Sequence, residues 1–262
     1  MRKRYQVLLT VLLVATLGGI AWQMMGEREP VYQGRSLRAW IMDFDNTYAS
    51  DWTGEDSDKH VRAAEAIRRI GTNGLPALVQ IVSQQDSTVK AQLLKLAAKQ
   101  SLMRFEFTSV SELQQRLSAA FKALGPVASP AIPELERLLN NGDTSYYAAP
   151  ALGAIGPDAV LPLTRALTNE EKWVRIHAAD ELSQLQSKAA SALPALIICA
   201  KDKDWVVRCS AIDAIAGVNR HPETVMPVLL NSLLDDDAAV REAATNAVRQ
   251  IDPDAAAKAG VQ

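Results

Sequence analysis

Glu171-Lys172-Trp173-Val174-Arg175, Asp204-Trp205-Val206-Val207-Arg208 and Asp237-Ala238-Ala239-Val240-Arg241 are three settings of one phrase, an acid followed four residues later by Val-Arg. The arginines fall 33 residues apart, and so do the hydrophobic-Pro pairs Leu193-Pro194 and Met226-Pro227 that follow. A fixed period of this length marks a chain built from stacked copies of one supersecondary unit.

Asp204 to Asp235 serves as the unit. The Asp204 carboxylate is suited to accept from the orphan amides of a first helical turn. Arg208, one turn on, is placed for an i,i+4 pair with it, as Arg175 is with Glu171 and Arg241 with Asp237. Val207, Ala211, Ile212 and Ile215 form an apolar stripe at helical spacing. Gly217 and Asn219 stop this helix. The next is expected to begin near Pro227, since Pro fits a first turn, with Val228, Leu229, Leu233 and Leu234 as its stripe. Such a hairpin has an apolar face on each side, and stacking is what buries both.

Val-Arg, Ala-Ala-x-x-Leu, Ile-Gly-Pro and Leu-Pro-x-Leu together resemble the HEAT and HEAT-like repeats, including the type first named from phycobilin lyases. The resemblance implies an all-α fold, a right-handed α-solenoid of antiparallel helix pairs. It also implies that Arg175, Arg208 and Arg241, with Arg62 four residues after Asp58, are structural residues packing one repeat on the next. It points to a non-enzymatic scaffold binding a protein or peptide. The alternative that the repeat type's name suggests is a bilin-lyase-like enzyme or chaperone.

The same punctuation runs back through the chain. Leu75-Pro76, Ile132-Pro133 and Leu161-Pro162 precede Leu193-Pro194, with steps of 57, 29 and 32 residues between prolines. The long first step leaves room for one extra helix, from Thr88 to about Ser101. Arg104-Phe105-Glu106-Phe107 alternates over too few residues to define a strand. The repeat domain is read as 58–262, opening at Asp58 and holding five complete hairpins plus a sixth first helix. Asn46 to Ser57 reads as a solvated loop.

Ahead of the repeats, residues 26–57 read as a tether and a cap helix. Ser36 starts that helix, and Leu37, Trp40, Ile41 and Phe44 make its stripe. Tyr32-x-Gly34-x-x-Leu37-x-x-Trp40 resembles the leader of bacterial exported HEAT-repeat proteins. Arg2, Lys3 and Arg4 form a basic tail over residues 1–6, and 7–25 is an uncharged apolar run long enough for a transmembrane helix. The expectation is a signal anchor in a bacterial inner membrane, with the N-terminus cytoplasmic and the repeats periplasmic. The alternative is secretion after cleavage at the small-x-small site Gly19-Ile20-Ala21.

Composition narrows the function classes. Aromatic residues make up 5% of the chain, which suits Ala/Leu helix packing. Without the basic tail the chain carries 25 basic and 30 acidic residues, a net −5, which weighs against nucleic acid as a partner. His60, His177 and His221 lack the following Glu of the His-Glu dipeptides by which the HEAT-like deoxyhypusine hydroxylases hold two irons. No metal or cofactor is therefore expected, and no catalytic constellation emerges.

Four aromatic residues near hairpin turns, Tyr146, Tyr147, Trp173 and Trp205, are expected to line one rim, either as a contact surface for a partner or with each ring covering the hairpin turn of its neighbour. Second helices are expected to offer Gln80, Arg137, Arg165 and Asn231 to solvent. Cys199 and Cys209 sit about equally far from the turn near Asp204. Two readings stand, a disulfide or a pair of small buried thiols.

Overall fold

The computed structural model describes residues 29–44, 54–84, 110–218 and 222–254. The basic tail, the apolar run 7–25, the expected helix at 88–101, Arg104 to Phe107, His221 and the last eight residues lie outside the described residues.

A two-stranded hairpin, β1 (Val31–Tyr32) and β2 (Arg35–Ser36), leads into a short helix, α1 (Leu37–Ile41). Five helix pairs follow among the described residues: α2 (Gly54–Ile70) with α3 (Leu75–Ser83), α4 (Val110–Leu124) with α5 (Ile132–Leu139), α6 (Gly142–Ile155) with α7 (Val160–Ala166), α8 (Lys172–Leu185) with α9 (Leu193–Cys199), and α10 (Trp205–Val218) with α11 (Pro222–Ser232). A sixth first helix, α12 (Ala238–Ile251), ends the described chain. The first helices stack on one another in sequence order, and each second helix also packs against the first helix that follows it. The result is an all-α repeat solenoid in two layers.

The stripes recur with the period. Val174, Val207 and Val240 are fully buried, as are Ala178, Ala211 and Ala244, and Leu182, Ile215 and Val248. Alanine at the middle position lets α8, α10 and α12 approach closely, while the larger residues on either side fill the layer. At the N-terminal end Ser36 caps α1 by accepting from the Ala39 amide, and Leu37, Trp40, Ile41 and Phe44 are buried against the first pair.

Two helix starts differ from the sequence reading. Helix α2 starts at Gly54, not Asp58, taking in residues read as solvated loop. Helix α11 starts at Pro222, so Pro227 lies inside it. Pro222 itself supplies the first-turn proline there, whereas in α3, α5 and α9 the Leu-Pro or Ile-Pro dipeptide opens the helix. The turns after the first helices use left-handed backbone at Gly71, Gly125 and Gly156, and Gln186 holds the corresponding place after α8 with φ 52°. That conformation favours glycine.

The arginines do not pair with the acids four residues before them. Arg175 Nη2 donates to Asp202 Oδ1 at 3.0 Å, and its Nε lies 2.9 Å from Asp202 Oδ2 without an aligned hydrogen bond. Arg208 forks onto Asp235, with Nε and Nη2 at 2.9 and 2.7 Å. Both acids belong to the following turn, 27 residues on. The remaining donor of each arginine grips two carbonyls of the preceding turn: Asn169 and Glu170 for Arg175, Asp202 and Lys203 for Arg208, Asp235 and Asp236 for Arg241. Asp204 and Asp237 are instead occupied as caps, accepting from the amides of Val206 and Ala239. Arg175 and Arg208 thus each bridge two successive turns, whereas Arg241 reaches the carbonyls of the turn before it. In the first pair Arg62 reaches only the Asp58 carbonyl, at 3.2 Å.

Candidate functional site

Helices α4, α6 and α8 stack with their outward faces slightly apart, and a cleft of about 380 Å³ opens between them. Gln114, Gln115 and Ser118 line it from α4, Tyr146, Tyr147 and Pro150 from α6, and His177, Asp180 and Glu181 from α8. It lies on the layer of first helices. The second-helix residues expected to face solvent, Gln80, Arg137, Arg165 and Asn231, are exposed on the other layer. There Arg137 pairs with Glu134 and Arg165 with Glu136.

The floor is fixed by Gln114. Its buried side chain donates to the carbonyls of Ile81, Val82 and Gln84 at 3.0, 3.3 and 2.8 Å, closing the C-terminal end of α3. On α6, the Tyr146 ring is 61% exposed and packs edge-on against Tyr147 and His177, with centroids 5.0 and 5.6 Å apart. Trp173, 51% exposed, stacks on the other side of His177 at 6.3 Å. The Lys172 ammonium lies 5.2 Å from the Trp173 ring and 3.0 Å from Asp204.

Two of the four expected rim aromatics, Tyr146 and Trp173, therefore pack on one histidine, and Tyr147 packs on Tyr146. Trp205 does not join them, and among the described residues no ring contact links it to the group. The reason is register. One period after Trp173 falls Val206, and Trp205 continues the place of Lys172. A one-residue offset turns a side chain about 100° around a helix, so the spacing of 32 between the two tryptophans already put them on different faces.

Ser145, His177 and Asp180 have the residue types of a hydrolytic triad but not its geometry. Ser145 is fully buried, and its hydroxyl donates to the Gly142 carbonyl at 3.0 Å. Oγ also lies 3.1 Å from His177 Nδ1, while the Asp180 carboxylate takes its hydrogen bond from Ser210. The Ser145–His177 contact joins α6 to α8. Among the described residues no group of three His, Cys, Asp or Glu side chains is placed to hold a metal ion.

The electrostatics of the cleft are set by burial. Partial burial lowers the His177 pKa, with the Asp180 charge opposing. The Asp180 and Asp213 carboxyls are raised by the same cause, Asp180 being held back by a Ser210 hydrogen bond and by His177. Glu181 is pushed up to about 7 by burial, with the Asp180 charge adding to the effect. Its place depends on Gly153 of α6, where an added Cβ would fall on Glu181 Oε2.

The disulfide reading is corrected: Cys199 and Cys209 are both free. Cys199 is buried, with its sulfur 3.4 Å from the Leu167 carbonyl of the preceding pair, and burial raises its thiol to about 11. Burial also raises the Cys209 thiol, helped by Asp213, Asp237 and Asp235 on its own helix and the turn after it and opposed by Arg208. The two thiols face opposite neighbours along the stack.

Residues 132–216 and 193–259 match the family described as HEAT repeats. These residues are HEAT repeats. The cleft is thus walled on two sides by helices of the HEAT array, and its α4 wall precedes the matched region. No curated protein matches the chain. Among solved structures it is similar to two crystal structures of engineered proteins from a structural genomics consortium. One is 18% identical over 83% of this chain and 96% of that chain with a TM-score of 0.45, the other 18% identical over 86% and 72% with a TM-score of 0.40.

Proposed function

We propose that this HEAT-repeat chain is a non-enzymatic scaffold that binds a protein or peptide at the α4–α6–α8 cleft. One observation carries this reading, an open cleft edged by the exposed ring of Tyr146, with the exposed Trp173 stacked on its His177. HEAT repeats commonly mediate protein binding, and exposed aromatic residues on rigid helices lose little entropy on contact. The scaffold is tethered through residues 7–25 to a bacterial inner membrane, with its repeats on the periplasmic side. The support for the tether is the basic-then-apolar order of the first 25 residues. Among the described residues no helix is long and apolar enough to cross a membrane.

The test is crosslinking and affinity capture of the full chain from its own host membranes, with fractionation of the same sample. Defined envelope proteins recovered with the parent and lost with Tyr146→Ala plus Trp173→Ala support the reading. Recovery of the chain from the soluble cytoplasmic fraction overturns the tether. Capture unchanged by the double substitution overturns the cleft as the contact.

A further inference from the structure

A scaffold selects its partner by the chemistry of its contact surface. The lining of the cleft holds two carboxylates, Asp180 and Glu181, and no lysine or arginine. A third carboxylate, Asp213 on α10, is raised by burial and by the Asp180 charge on the neighbouring helix. Gln114 contributes in the same sense: with its amide NH2 spent on three carbonyls, what it has left is a carbonyl oxygen, an acceptor. Partial burial of His177 disfavours the imidazolium that would offset these acids, with the Asp180 charge opposing.

Glu181 is the least satisfied member. It has no hydrogen-bond or ion-pair partner among the described residues, and it is lodged against α6 at Gly153. Even half-buried, a carboxylate without a cation or donor beside it is costly to the fold. Nearby carboxylates are treated otherwise: Asp202 and Asp235 each hold an arginine, and Asp204 holds Lys172. The face of the Tyr146 ring, exposed at the cleft edge, adds a surface that attracts cations.

Taking the scaffold reading as its basis, we propose that the cleft receives a lysine or arginine side chain of the partner protein, its charge between Asp180 and Glu181 and its aliphatic stem along Tyr146 and Pro150. A basic residue supplies the counter-charge that Glu181 lacks. Its stem uses the apolar edge of the cleft, in the manner of long cationic side chains that bury their methylenes and keep their heads in polar company. A guanidinium also meets the acceptor set of two carboxylates with its fork of donors.

The experiment titrates the full chain at pH 8 with fluorescein-labelled, blocked pentapeptides of Gly and Ser carrying one central arginine, lysine or citrulline. Anisotropy is expected to show saturable binding of the arginine and lysine peptides, about tenfold tighter than the citrulline peptide. Glu181→Gln and Asp180→Asn are each expected to weaken the charged peptides several-fold. Asp236→Asn, an exposed acid outside the cleft, is expected to leave them unchanged. Glu181→Gln removes a half-buried, unpartnered charge and is expected to keep the fold, which circular dichroism checks. Equal binding of all three peptides overturns the proposal, as does no binding of any at millimolar concentration. Binding of putrescine or magnesium ion alone, with the same dependence on Glu181, overturns it in favour of a free-cation site. If a partner captured from membranes is retained fully by both acid variants yet lost with Tyr146→Ala, the basic-residue proposal fails while the scaffold reading stands.

Discussion

Arg208 forks onto Asp235 at 2.9 and 2.7 Å, while Asp204, four residues before it on the same helix, accepts instead from the Val206 amide and Lys172. Proximity in sequence loses to a partner 27 residues away. The reason is geometric: the acid on the following turn meets the planar guanidinium with two oxygens, and Asp204 already has donors at the helix start.

A double-mutant cycle tests this directly. Arg208→Ala should cost about 2–4 kcal/mol, since it removes a half-buried ion pair and the grip on two carbonyls. Arg208 and Asp235 should show strong coupling in denaturant unfolding, and Arg208 and Asp204 little. Asp204→Ala alone should cost about 1 kcal/mol through the lost cap.

The stack itself is probed by core truncation. Leu182 and Ile215 are fully buried at equivalent places in α8 and α10, and alanine at either should cost about 2–5 kcal/mol. Leu234, 82% exposed, should lose almost nothing on the same change. Equal losses at all three sites in chemical denaturation would contradict the packing.

Gln186 occupies a left-handed conformation that glycine holds after three other first helices. Gln186→Gly should therefore stabilise the chain, by about 1 kcal/mol. An unchanged or lowered melting midpoint would mean that the strain is relieved elsewhere.

Glu181 gives a pH-dependent prediction. Its folded pKa, about 7, lies above the ordinary 4.5, so the folded state holds the proton more tightly than the unfolded one. Stability from this group is fully present below pH 4.5 and falls as pH rises through 7, reaching a loss of up to about 3 kcal/mol. Glu181→Gln removes that dependence. Its advantage over the parent should grow between about pH 5 and pH 8 in urea unfolding. His177, Asp180 and Asp213 remain to titrate in both proteins, so the difference reports Glu181 together with its coupling to Asp180.

The repeats are legible in the sequence because their packing demands recur: Val174, Val207 and Val240 must each fill the same kind of slot, and the sequence repeats with the slot. Ser36 as a cap and Leu37, Trp40, Ile41 and Phe44 as a buried stripe are legible for a similar local reason. The arginine partners are not, because an acid at i−4 looks like a pair within one helix, and preferring the acid of the next turn requires the hairpin geometry. Glu181 is invisible for another reason. Its burial comes from the missing side chain at Gly153, on a neighbouring helix, and no pattern within α8 signals it. The offset of Trp205 shows only when the spacing of 32 is set against the period of 33.

The forward-reaching arginine has a consequence for how such an array lengthens. A 33-residue stretch such as 176–208 ends on an arginine that seeks an acid ahead, and it contains Asp202, the acid that Arg175 behind it seeks. Duplicating that stretch in tandem brings both halves of a new joint along, already spaced. The copy mates with the original and with its successor through contacts the chain already possesses. Growth by gene duplication thus needs no fresh interface to be invented, and deletion of one unit heals the seam in the same way.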